Sequence, residues 1–240
     1  MSGSYARIST GAAGLVALHP DKASWIMRSM SYVRLSDLDN AAGARLIGGG
    51  SVTEDRQLPF RSLRVRPIRQ RADFSCGPAA LLSVLQYWGV PMDDERRLYN
   101  ALGTDEKGGT RPQYIVNAAR KMSLAADARV RVTPDDLRLA VGRGETVILN
   151  LQRWEADAPE PGKECEDGHF VVLVWIDDQD VYVMDPYVGG FAWMPVRALL
   201  DRWYDRPWPG EPCEERVAIF MSEMTPRPTN TGVAFASRYR

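Results

Sequence analysis

Histidine is the scarcest chemically active residue in this chain: there are two, His19 and His169, so any mechanism that needs an imidazole has very few places to put it. Cysteine is also sparse. Cys76, Cys165 and Cys213 are odd in number and show no CxxC spacing, which argues against a secreted disulfide framework and against a zinc finger, and leaves at least one thiol expected free. A basic excess is missing too, since 30 Lys+Arg face 31 Asp+Glu, net charge -1. No basic excess is therefore available to neutralise a phosphate backbone, and nucleic acid is not an expected partner. Long apolar runs are lacking: the stretch Gly11 to Leu18 is too short to span a bilayer. It also makes a poor signal peptide, with only Arg7 ahead of it and no small-residue cleavage pattern before Asp21 and Lys22. A cytoplasmic protein without an integral membrane segment is expected, and no cofactor or metal is called for.

What is present is ordinary globular material. Of 240 residues, 45% are hydrophobic and 25% charged, enough for one good-sized core. Residues 1–60, rich in Ser, Gly, Ala and Asp and including Ile47-Gly48-Gly49-Gly50-Ser51, read as a flexible extension. Residues 61–222 read as the folded domain and 223–240 as a tail. The domain opens on the alternation of Leu63, Val65 and Ile68 with arginines, an edge-strand signature interrupted by Pro67.

Cys76 to Trp88 then reads as a helix with Pro78 in its first turn and Gly89 beyond its end. Helical patterns follow over Asp93 to Leu102 and over Thr110 to Met122, with Thr110 a candidate cap. Strands are expected over Leu124 to Val132 and Thr146 to Leu151, with a short helix between them over Pro134 to Val141. A long polar loop, Arg153 to Asp167, leads into His169 to Ile176. The tetrad Asp177-Asp178-Gln179-Asp180 turns that strand into Val181 to Met184, a hairpin closing on Asp185-Pro186. Val196 to Tyr204 reads as a last helix and Arg216 to Met221 as a last strand. Helices first and an antiparallel sheet second define an α+β class.

Chemistry concentrates at four of these positions. A thiol is a good nucleophile only as thiolate, and the start of a helix, with its unpaired N–H groups, favours negative charge; Cys76 stands there. Gly77 leaves room for a substrate carbonyl beside that backbone. His169, heading an apolar strand, is the plausible base for a Cys–His mechanism, because His19 lies in the extension. Asp185 ends the strand that the hairpin folds back beside His169, where a carboxylate would orient the imidazole. Gln70, upstream of the cysteine, can donate an N–H to a developing oxyanion.

The segments Gln70-Arg71-Ala72-Asp73-Phe74-Ser75-Cys76-Gly77-Pro78-Ala79-Ala80-Leu81, Asp167-Gly168-His169-Phe170-Val171-Val172 and Val181-Tyr182-Val183-Met184-Asp185-Pro186 resemble the bacteriocin-processing, double-glycine class of papain-like cysteine peptidases, of the stand-alone type. The likeness runs over roughly residues 64–221 and implies a papain-like fold with helices packed on a C-terminal antiparallel sheet. It implies nucleophile, base, orienting carboxylate and oxyanion donor at Cys76, His169, Asp185 and Gln70, a peptide or protein substrate, and cleavage after Gly-Gly in a leader peptide. Members fused to export ATPases usually carry Asp directly before the cysteine; here that residue is Ser75, and no GxxxxGK[ST] phosphate loop is present.

Other readings share these residues. An acyltransferase or transpeptidase would use the same acyl-enzyme, and a binder of leader peptides would use the same scaffold without turnover. Cys165, close ahead of His169, offers a zinc ligand or a redox partner for Cys76. Leu46-Ile47-Gly48-Gly49-Gly50 offers a site for self-cleavage, and the acidic residues between Glu155 and Asp167 hint at basic substrates.

Overall fold

The computed structural model describes residues 43–46 (as backbone), 56–153, 165 and 168–224. Among the described residues five helices, α1 (Cys76–Tyr87), α2 (Arg96–Leu102), α3 (Pro112–Lys121), α4 (Pro134–Gly142) and α5 (Val196–Arg202), accompany an eight-stranded sheet. Its strands are β1 (Gly43–Leu46), β2 (Arg56–Gln57), β3 (Leu124–Arg129), β4 (Thr146–Gln152), β5 (Gly168–Ile176), β6 (Asp180–Asp185), β7 (Gly190–Pro195) and β10 (Val217–Glu223), in the order β2-β1-β7-β6-β5-β4-β10-β3. The short strands β8 (Tyr204–Asp205) and β9 (Glu214–Glu215) pair separately. The class is α+β, with all sheet pairings antiparallel except β1 with β7. Among the described residues no helix is long and apolar enough to cross a membrane.

The centre of the sheet is β4 and β5. Their apolar runs are buried along nearly their whole length, as strands covered on both faces must be. α1 is the matching helix: its first ten residues are all buried, so it shows no polar stripe, and it lies across β5. Gly89, at φ +75°, ends it in the left-handed region open to glycine. α4 packs on β4 and β5 as well, starting from a complete capping box in which Thr133 and Asp136 satisfy each other's backbone N–H groups.

Several expectations are corrected. Residues 63–68 form no strand. Leu63 and Val65 are buried and Arg64 and Arg66 exposed, as the alternation demands, but Pro67 interrupts the segment. Leu63 N–H bonds instead to the Val174 carbonyl, at the point where the β5–β6 register shifts between Leu173 and Trp175. The sheet also reaches back into the segment read as an extension. There β1 pairs with β7, and β2 is fastened by Arg56, which ion-pairs with Asp180 and lies 3.6 Å over the Trp193 ring. β7 itself was not foreseen, because Phe191-Ala192-Trp193-Met194 is too short a run between glycines and Pro195 to declare its period. α2 starts at Arg96 rather than Asp93, with Asp94 accepting from Arg96 N–H. α3 starts at Pro112 with no side-chain cap, so Thr110 is not its cap.

The cysteines keep the expected free thiol but also form a disulfide that the sequence argued against. Cys165 and Cys213 form a disulfide with Cα atoms 6.2 Å apart, and Cys76 is the free thiol. An odd count never excluded one pair plus one thiol; the pairing needs proximity that sequence does not carry. Denatured, unreduced protein is therefore expected to titrate one thiol and fully reduced protein three. Three thiols before reduction would show the bond does not form. Removing it should cost ~2–4 kcal/mol of stability, read as a lower denaturant midpoint.

Candidate active site

The hairpin β5–β6 does what its sequence promised. With Val172 opposite Met184 and Leu173 opposite Val183, continuing the register sets Asp185 across from Val171, diagonally beside His169 on the same face. Their side chains meet: His169 Nε2–H donates to Asp185 Oδ1 at 2.8 Å, and both groups are fully buried. The same oxygen accepts from the Tyr187 N–H at 2.8 Å, which fixes the carboxylate in turn. Burial alone would lower the imidazole pKa. The charge and hydrogen bond of Asp185, and then the neighbouring Cys76, outweigh it and raise it to about 9.

Cys76 arrives from the other side. α1 crosses β5 and sets the thiol at its own first turn, almost buried, against the imidazole. With Nε2 committed to Asp185, Nδ1 has no hydrogen-bond partner of its own and is the nitrogen left for sulfur. The arrangement can therefore hold an imidazolium between the Asp185 carboxylate and the Cys76 sulfur.

Gly77 is required for a different reason from the one its sequence suggested. A Cβ there would lie 2.7 Å from the Thr110 side chain, so the missing methyl group makes room for packing rather than for substrate. Thr110 is buried and shares a hydrogen bond with Thr104, which explains why it is unavailable as a cap.

Gln70 is held close to this group, its N–H donating to the Pro186 carbonyl beside Asp185. Its carboxamide, however, is turned into its own loop: Nε2 donates to Ala72 O at 2.7 Å and to Asp73 O at 3.1 Å, while Oε1 is buried without a partner. Both N–H bonds are thus in use.

Cys76 opens onto a cleft walled by Phe74, Phe170, Gly108, Gly109, Arg153 and Asp205. Asp205 was invisible to sequence reasoning, lying in a Trp203-Tyr204-Asp205 stretch with no motif. It accepts from Gln152 Nε2 at 2.9 Å, and burial, only partly offset by hydrogen bonds, lifts its pKa to about 7. A Cβ on Gly168, the residue before His169, would run into its carboxylate. Glu95 was missed too, lying unremarked within the helical pattern Asp93 to Leu102. Cys165 lines the same cleft, but its bond to Cys213 removes it as a ligand or as a partner for Cys76. The Gly48–Gly50 run and the acidic residues between Glu155 and Asp167 lie outside the described residues. The strand leading to those glycines runs along β7 away from Asp185, since Ala44 faces Phe191 and Leu46 faces Trp193.

A buried Asp–His pair on a sheet, facing a cysteine at the tip of a buried helix, defines the papain-like cysteine peptidase fold. The model of the peptidase C39 family matches residues 64–205, more than half of the chain. The chain belongs to that family. Two relatives share the sequence at a lower level: an uncharacterized protein from Methanothermobacter marburgensis, 30% identical over 122 residues (51% of this chain, 72% of the relative), and one from Methanothermobacter thermautotrophicus, 31% identical over 122 residues with the same coverage. Solved structures similar to this chain include a double glycine motif protease from an AMS/PCAT transporter in complex with the leader peptide, 20% identical, covering 67% of this chain and 93% of that one at TM-score 0.47. A putative C39-like peptidase from Bacillus anthracis, 17% identical, covers 68% and 96% at TM-score 0.49.

Proposed function

We propose that this protein is a cysteine peptidase that cleaves a peptide bond through a thioester at Cys76. The observation that carries the reading is the buried His169–Asp185 pair with Nδ1 left free beside the Cys76 thiol. In the first step Sγ of Cys76 attacks the scissile carbonyl carbon, the C–N bond breaks, and the His169 imidazolium gives its Nδ1 proton to the departing amine. Water then attacks the thioester, His169 takes its proton, and the acid leaves as the S–C bond breaks. Asp185 keeps the ring oriented and favours its charged form. Gln70 would give up its 3.1 Å bond to Asp73 O, the longer of its two, to reach the oxyanion.

Cleavage after Gly-Gly in a leader peptide is the finer part of the proposal. It rests on family membership and on the resemblance carried by the three sequence segments. Peptide library digests, with new N-termini labelled and sequenced by mass spectrometry, test both levels. Cuts absent from a Cys76→Ala control support the peptidase, and Gly-Gly enrichment ahead of the cut supports the specificity. Identical digests from the two proteins would sink the peptidase reading, and cuts without glycine would sink the finer part. For location, the Cys165–Cys213 bond supports an oxidising compartment over the cytoplasm expected from sequence.

A further inference from the structure

Between Gln70 and Cys76 the chain makes a tight loop, and one carboxylate outside it holds both ends. Glu95 stands just before α2, is 1% exposed, and has Oε1 accepting from Arg71 N–H at 2.8 Å, Ser75 Oγ at 2.8 Å and Tyr99 OH at 2.9 Å. Ser75 Oγ in turn accepts from Ala72 N–H at 3.0 Å, and the Ala72 carbonyl receives the Gln70 carboxamide. Ser75 has one hydroxyl proton. Of its two acceptors, Ala72 O at 3.0 Å and Glu95 Oε1 at 2.8 Å, the buried carboxylate is the stronger. Burial raises the Tyr99 phenol pKa, so its O–H remains a donor. A continuous chain of hydrogen bonds thus runs from Glu95 through Ser75 and Ala72 to the Gln70 side chain.

Glu95 is not among the residues that wall the cleft, and nothing in the nucleophile–base chemistry needs it. A buried carboxylate is costly to maintain, and its second oxygen has no partner at all. Two of its three bonds, from Arg71 N–H and Ser75 Oγ, serve the segment joining the oxyanion candidate to the nucleophile, and the third, from Tyr99 OH, ties the carboxylate to its own helix. We infer that Glu95 is a positioning residue for the oxyanion donor: through Arg71 N–H and Ser75 it sets the shape of the 70–75 loop and hence the place of the Gln70 carboxamide. The inference rests on the peptidase reading, and it assigns Ser75 the work of relaying Glu95 to the loop.

Acylation by p-nitrophenyl acetate, which forms an oxyanion but needs no recognised peptide, can be set against alkylation of Cys76 by iodoacetamide, which forms none. Glu95→Ala should slow acylation ~10–100-fold, the scale of a small misplacement, while alkylation stays within about threefold of wild type. In a Gln70→Ala background Glu95→Ala should slow acylation no further, because the donor it places is already gone. Glu95→Gln, which keeps an Oε1 acceptor, should lose less than Glu95→Ala.

Unchanged acylation in Glu95→Ala would overturn the inference. So would a parallel fall in alkylation, or a full loss persisting without Gln70. If Glu95→Ala does not fold, Glu95→Gln carries the same comparison in both backgrounds, and equal losses with and without Gln70 overturn it. A wild-type Cys76 that is neither acylated nor alkylated faster than an ordinary thiol at about pH 6 would instead remove the peptidase reading itself, and this inference with it.

Discussion

Cys76→Ala and His169→Ala should each lower peptide hydrolysis by roughly 10⁴–10⁶-fold, yet differ sharply in stability. Cys76 is small and nearly buried, and alanine fills most of its volume at a helical position that favours it. Its loss should cost ~1 kcal/mol or less. His169 shares a fully buried ion pair with Asp185, and removing it leaves a buried carboxylate without its cationic partner, although Tyr187 N–H still donates to it. Breaking one side of such a pair costs ~3–5 kcal/mol. Denaturant midpoints of the two variants separate these effects. Equal midpoints would mean that Asp185 is not held charged by His169 in the folded protein, and measurable turnover by either variant would put the chemistry elsewhere.

The pH dependence is the second large effect. The His169 pKa in the folded protein is about 9 against 6.5 for an ordinary imidazole, so the folded state binds its proton more tightly than the unfolded one. The stabilisation is therefore complete below pH 6.5 and is lost as pH rises through 9; the difference corresponds to something on the order of 3 kcal/mol. Activity should follow the same limb, because above that pH the imidazolium that protonates the leaving amine disappears. A kcat/KM profile falling near 9, with a denaturant midpoint that declines over the same interval, is the expected result. A fall centred near 6.5 would show that Asp185 does not hold the ring charged.

Asp205 faces the same cleft, with a pKa near 7, and its titration enters the profile separately if it contacts substrate. The two can be told apart by sign. Asp205 gains charge as pH rises through 7, whereas His169 loses it near 9.

The hairpin is a case of sequence deciding a site almost unaided. Alternation, a polar turn and an Asp-Pro terminus set the strands and their register, and register alone carries Asp185 to His169. The helix that presents Cys76 was legible for a similar local reason, since Pro78 and Gly89 mark its ends and its apolar residues fill it. Gln70 was identified by type and position, but the direction of its carboxamide was not, because that depends on the carbonyls of Ala72 and Asp73 in a folded loop.

What sequence determined by itself was local: the main helices and strands, and the candidate residues Cys76, His169, Asp185 and Gln70 as types suited to thiol chemistry. Only the tertiary structure decided that Glu95 reaches Ser75 and Arg71, that Asp205 enters the cleft, that Cys165 meets Cys213, and that Gly77 yields its space to Thr110. Each of those contacts joins segments distant in the chain or lodged in irregular loops. No period or cap marks such residues in advance, because the energy that selects them arises only when packing has brought them together.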